Sequence, residues 1–363
     1  MSGKTRFYKL IEEGRKGNNI GLPIGSPKLE LYMDGYLPQS YLIGGASGTG
    51  KSTFALWSLV YCPLIAFING FGKERDPYWV MFSLEMTQEQ VYAKLVSMYI
   101  YDKYGIQIRF KEMFSRGKDC ILSDEHLRYI EEVEDFIDIL DERLYFQEGN
   151  LTEEIYIKTI KDQVINRFGK MENGHFIPNN PLQIIGVMID HFSLVKASAG
   201  RSKKDEMDAI SRDSVIFRNT TRIMAPIHVA QFNRGSNSDE RLKQGMQDPN
   251  QSDFKDSGSL YEDSQIVFAV FSPHKYKMSN YKKYSIKDLE QIFIAVFLLK
   301  SRFGTSDILV PFGFYGDCSH YLELPKPDEI FDYETYLTPD WIKRKNKQKD
   351  IVDTSKNNFN FTM

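Results

Sequence analysis

The segment GGASGTGKST, residues 44–53, constrains this chain more than any other. It contains Gly45-x-x-x-x-Gly50-Lys51-Ser52 directly after the apolar YLIGG and directly before the helix-compatible TFALWSLV. Strand, glycine-rich loop and helix in that order form a phosphate cradle. The glycines let backbone N–H groups close on a phosphate in conformations that a Cβ would obstruct, and the helix N-terminus adds partial positive charge. Residues Gly45, Ala46, Ser47, Gly48, Thr49, Gly50, Lys51, Ser52 and Thr53 are therefore expected to hold a nucleotide, ATP with Mg²⁺. Lys51 is expected to reach the β- and γ-phosphates, and the Ser52 hydroxyl to ligate the metal.

A loop of this kind needs a sheet behind it. The runs YLIGG (41–45), WVMFSLE (79–85), IIGVMID (184–190), IHVAQF (227–232) and QIVFAVF (265–271) are nearly continuous in Val, Ile, Leu and Phe. Strands without alternation are expected where helices cover both faces of a parallel sheet, so the fold class is α/β. Between Asp102 and Pro181 the pattern is mostly helical around a short LYFQ strand. A length of 363 residues with 42% hydrophobic and 26% charged residues suits one large α/β domain. Three scattered cysteines form no C-x-x-C, which indicates neither a zinc site nor a disulfide framework and suits a reducing cytoplasm. No apolar run is expected to cross a membrane, and the first residues lack the core of a signal peptide. A net charge of −3 confines any nucleic-acid contact to a loop or channel.

Further candidates stand at strand ends. Asp190 closes the buried run IIGVMID, where an ionised carboxylate is costly unless a cation compensates it. Mg²⁺ would do so; the plainer possibility is a turn cap. Glu85 follows WVMFSL, and Thr87 with Gln90 forms a capping box for the next helix, which puts Glu85 at a strand-to-helix crossing. It is a candidate to orient attacking water, or else a complement to the helix dipole. His191, beside Asp190, is expected to face away and receives no role. In IFIAVFLLKSRFGTSDILV, residues 292–310, Lys300 and Arg302 are two apart on a strand and leave one face as a cationic fork before a Gly-containing turn. Its plain reading is a solvated hairpin end.

In order and spacing, FSLEMTQEQVYAKL, IIGVMIDHFSLV, AISRDSVIFRNTTRIMAPIHVAQFNR, SDFKDSGSLYEDSQIV and KSRFG resemble the ATPase domain of DnaB-type replicative helicases, from about Gly21 to Leu324. The resemblance implies a RecA-like P-loop NTPase: a mostly parallel central sheet flanked by helices with a C-terminal β-hairpin, assembled as a homo-hexameric ring that hydrolyses ATP and pulls single-stranded DNA through its centre. It makes Glu85 the catalytic glutamate, Gln231 the sensor of the γ-phosphate and Lys255, Asp256 and Gly258 part of a DNA-binding loop. Arg201, Lys203 and Lys204 mark a second basic loop for DNA, unless that loop is merely solvated. Arg302, with Lys300, would serve a neighbouring subunit's nucleotide. Residues 1–20 are expected to form a helix or linker, 21–342 the ATPase domain and 343–363 a mobile tail. With only about twenty residues ahead of the core, a form without the family's N-terminal collar is expected, as in a phage or other mobile-element replication protein, and a primase or loader is a candidate partner. Insertions are expected near Pro63–Tyr78 and Lys275–Leu289. A strand-exchange filament ATPase and a non-motor, DNA-dependent loader or switch remain the readings from other classes.

Overall fold

The continuous apolar segments become strands packed on both sides. In the computed structural model, which describes residues 3–72, 74–233, 241 and 247–341, the strands are β1 (Tyr41–Gly45), β2 (Pro77–Ser83), β3 (Leu144–Phe146), β4 (Gly169–Glu172), β5 (His175–Pro178), β6 (Ile184–Asp190), β7 (Met224–Gln231), β8 (Ile266–Phe271), β9 (Asn280–Tyr281), β10 (Tyr284–Ser285), β11 (Phe293–Ser301), β12 (Ile308–Tyr315) and β13 (His320–Glu323). Nine of them form one sheet in the order β13-β12-β11-β8-β1-β7-β6-β2-β3. From β8 to β3 all neighbours are parallel; β11, β12 and β13 extend the sheet antiparallel. The expected tail, 343–363, lies outside the described residues, as do the side chains of residues 255–258.

Alternation within each strand feeds two core layers. Tyr41 and Ile43 join the layer that holds Phe54, Leu56, Leu95 and Phe136, whereas Leu42 joins Tyr156, Ile160, Met207 and Ile210 on the opposite face. Helices Lys51–Leu56 and Gln88–Tyr104 thus cover one side, and Glu153–Ile160 and Lys203–Thr221 the other. The fold is RecA-like, with strands apolar throughout because both faces are dry.

The helix behind the glycine loop corrects one expectation. Lys51–Ile68 is long and apolar enough to cross a membrane by length and composition, yet 67% of it is buried inside the domain, where it packs as a core helix. Its middle turn, Trp57–Tyr61, is π-helical just ahead of Pro63. Proline supplies no N–H for the carbonyl four residues earlier. That carbonyl, on Leu59, instead accepts the Trp79 indole N–H at 3.0 Å. Trp79 in turn stacks on Tyr36 with centroids 6.3 Å apart, which ties helix, β2 and the approach to β1 together.

Candidate nucleotide site and its surroundings

β1 delivers Gly45 between Gln231 of β7 and Val270 of β8. A Cβ on Gly45 would stand 2.9 Å from the Val270 carbonyl and 2.7 Å from Thr49 Oγ1, so the position admits only glycine. Gly48 and Gly50 turn the loop through left-handed conformations, φ 66° and 86°. The Gly50 carbonyl accepts from Phe54 N at 2.7 Å and from the Tyr321 hydroxyl at 2.9 Å. No side chain caps the helix that starts at Lys51, so its first amides are left to face a ligand. Lys51 lies beneath them, 7% exposed.

Ser52 Oγ donates to Asp190 Oδ1 at 2.9 Å, whereas Asp190 Oδ2 is buried without a partner. Burial pushes the Asp190 carboxyl up to about 6, helped by the charge of Glu85; the Ser52 hydrogen bond and the cations of Lys51 and Lys94 oppose the shift. A buried acid with one orphaned oxygen beside a hydroxyl fits Mg²⁺, a cation that takes oxygen ligands and keeps several waters. Lys94, unnoticed in the sequence, donates to Thr53 Oγ1 at 3.2 Å and feels the Asp190 charge. Its signal was a single charge inside the apolar VYAKLVSMYIY.

Glu85 lies two residues past β2, held at the site by the Leu84 N–H, which donates to the Asp190 carbonyl at 2.8 Å. Its carboxylate is 57% exposed. The capping box is present, with Thr87 N donating to Gln90 Oε1 at 3.1 Å. His191 departs from expectation: its Nε2 is 3.9 Å from Glu85 Oε2 and its Nδ1 is 2.5 Å from Ser193 Oγ. The chain turns at the end of β6, so strand alternation no longer sets its direction. Burial holds its imidazole below its ordinary range despite the Glu85 charge. Gln231, the exposed last residue of β7, stands beside Gly45. The loop, Glu85, Asp190 and Gln231 thus share the carboxyl edge of the parallel strands, where ligands of open α/β sheets bind.

The cationic fork is on the other edge. β11 runs antiparallel to β8, with Ser301 opposite Ile266, which itself pairs with Tyr41 at the start of β1. At least the length of β1, roughly 13 Å at about 3.3 Å per residue, separates the fork from its own glycine loop. Lys300 Nζ donates to the carbonyls of Tyr261 and Glu262 at 2.7 and 3.0 Å, and Arg302 Nη2 to that of Glu262 at 3.0 Å. Both cations therefore leave one face, as the spacing predicts, and rest on the C-terminal carbonyls of helix Gly258–Asp263.

The stretch carrying Lys255, Asp256 and Gly258 is a 3₁₀ turn, Gln251–Ser257, followed by that helix. Its stem is buried: Asp253 is ion-paired with Arg241, and its carbonyl accepts from Asn233 N at 2.9 Å. In the other basic loop, Arg201 is engaged by Glu153 and lies 3.7 Å from the buried Glu206. Lys203 and Lys204 stand exposed in the first turn of helix Lys203–Thr221, inside the helix rather than before it.

Beside the glycine loop opens a cavity of about 560 Å³, lined among others by Gly48, Thr49, His274, Lys275, Ile292 and Phe314. Its size suits a small-molecule ligand. Lys275, in the segment expected as a surface insertion, donates its ammonium to the Ser47 carbonyl.

The sequence matches the DnaB-like helicase C terminal domain over residues 21–323. It is 24% identical over 274 residues to the replicative DNA helicase DnaB of Helicobacter pylori, strains J99 and 26695. That stretch is 74% of this chain and 48% of each relative, so the chain spans about half the length of the curated relatives it matches. Among solved structures, one described as an ATPase domain superposes with a TM-score of 0.66 at 19% identity, covering 89% of this chain and 99% of that one. A DnaB-like replicative helicase described with its interactions with primase gives a TM-score of 0.65 at 20% identity, covering 89% and 68%. These structural likenesses concern the fold; the sequence match, spanning most of the chain, shows that the protein belongs to the DnaB-like helicase C-terminal-domain family.

Proposed function

We propose that the protein is the ATP-hydrolysing motor of a ring-shaped DNA helicase, six copies moving on single-stranded DNA and separating duplex during replication. One observation carries this reading: the glycine loop and the Lys300–Arg302 fork occupy opposite edges of one sheet. A fork at the opposite edge from its own loop would complete a site on a second copy, and repeated head-to-tail contacts of that kind form a ring where the rotation between copies closes. Within a site, the loop amides and Lys51 hold the triphosphate, Gln231 senses the γ-phosphate, and Glu85 orients the attacking water. Mg²⁺ at Ser52 and Asp190 would neutralise charge between the phosphates. Arg302 of a neighbouring copy, with Lys300, leaves its resting carbonyls to stabilise charge on the departing phosphoryl group. The exposed side chains of Phe7, Leu10 and Ile11 on helix Gly3–Arg15 support the reading of residues 1–20 as a segment that docks on a neighbour. Lys255, Asp256 and Gly258 grip the DNA backbone without reading bases, with Lys203 and Lys204 as further contacts. A primase, by likeness to the relative described with one, or a loader is the expected protein partner.

The test mixes defective subunits. Arg302→Ala should bind nucleotide yet hydrolyse it about 10³-fold more slowly, and Lys51→Ala should lose binding; mixed assemblies should regain turnover where an intact loop meets an intact fork. If mixed assemblies demonstrably form and stay as inactive as their components, the contact in trans is wrong. A forked duplex then separates the motor from a loader or a filament, since only the motor displaces the strand.

A further inference from the structure

Lys275 is the feature that the family reading leaves unused. It sits in the 3₁₀ turn Pro273–Tyr276 that follows β8, with Pro273 buried and Tyr276 stacked on Phe271 at 5.1 Å. The turn is therefore braced, and its lysine is presented rather than waving in solvent. The ammonium lies against the glycine loop: it donates to the Ser47 carbonyl, and a Cβ built on Gly48 would stand 2.7 Å from Nζ. The missing side chain at Gly48 is what leaves room for the cation. The Ser47 carbonyl is the one acceptor described for the Lys275 ammonium, which has three donors, while the Lys275 backbone N–H donates to the Ser272 carbonyl at 3.2 Å.

We infer that Lys275 is a second phosphate-contacting cation acting in cis, whose ammonium passes from the Ser47 carbonyl to a phosphate oxygen when a nucleoside triphosphate enters the loop. The inference rests on the nucleotide reading of that loop. Holding a backbone carbonyl requires no charge, and a neutral amide would serve without the cost of placing one cation near another. Burial and the neighbouring charge of Lys51 both hold the Lys275 ammonium below its ordinary range. A polyphosphate between the two lysines relieves that repulsion, and hydrogen bonds to charged groups are the strong ones.

The experiment titrates a fluorescent, non-hydrolysable ATP analogue with Mg²⁺ into wild type, Lys275→Met, Lys275→Arg and Lys51→Ala, and records melting temperatures without nucleotide. Lys275→Met should weaken binding by about ten- to a hundredfold with melting unchanged, and Lys275→Arg should recover most of the affinity because it restores the charge. If Lys275→Met unfolds, Lys275→Gln keeps a donor for Ser47 without the charge and should show the same weakened binding. Affinity unchanged in Lys275→Met, or in Lys275→Gln where that replaces it, overturns the inference. Equal weakening in Lys275→Met and Lys275→Arg also overturns it, leaving a loop anchor of fixed length. Wild-type affinity in Lys51→Ala is a different failure, that of the nucleotide reading itself.

Discussion

His228 points into the core from β7, its ring edge-on to Phe192 at 4.8 Å and its Nε2 3.4 Å from Ser214 Oγ. Burial drives its pKa down to about 3. A base depressed in the folded state is protonated first in the unfolded chain. Its contribution is therefore complete above about pH 6.5 and is lost as pH falls toward 3, by about 2 kcal/mol between pH 6.5 and 5. Asp190 acts in the opposite sense, because its raised pKa makes the ionised form costly above about 6. His228→Phe removes only the first effect, so it should lose less stability than wild type between pH 7.5 and 5 in denaturant titrations. Equal losses would show that His228 is not the buried base. What the sequence made legible at this scale was what a motif ties to spacing: the glycine loop, and acids or amides at strand ends. Lys94, His191 and Lys275 were not legible. Lys275 meets the loop across 228 positions and Lys94 across 41, and no local pattern encodes such approaches.

Elements were readable where the turn chemistry is specific. Thr87 and Gln90 announced a helix start, and the capping box is there. Thr87→Ala should cost about 1 kcal/mol and loosen the crossing that carries Glu85, so turnover should fall while nucleotide affinity holds; a variant that loses affinity equally would show that the cap supports the loop rather than Glu85. Two hairpins make the contrast. β4 and β5 meet at Asn173-Gly174, φ 50° and 75°, the residue pair that a two-residue turn prefers, and this signal was there to be read within an otherwise helical stretch. β9 and β10 meet at Lys282-Lys283, φ 46° and 72°, where neither residue favours the left-handed region. That hairpin is fixed from outside: Tyr281 OH and Lys282 Nζ bind Asp248 at 2.6 and 2.8 Å.

At the scale of the whole molecule, the segment 273–289 spans between two regions that the sequence treated separately. At one end Lys275 touches the glycine loop; at the other Asp248, whose carbonyl also accepts from Arg241 at 3.0 Å, ties it to the stem of the expected DNA loop. Asp248→Ala should leave basal hydrolysis near wild type and reduce its stimulation by single-stranded DNA. Full stimulation in that variant would make the segment a passive insertion. That the fork stands apart from its own loop was expected; that it lies at the opposite end of the strands was not legible, because it follows from β11 running antiparallel, which pairing alone decides. The two outermost strands have a consequence of their own. β3 has three residues and β13 four, so the sheet ends in short margins that offer little free backbone to another strand. Growth by strand addition, the common route to aggregates, is thereby discouraged.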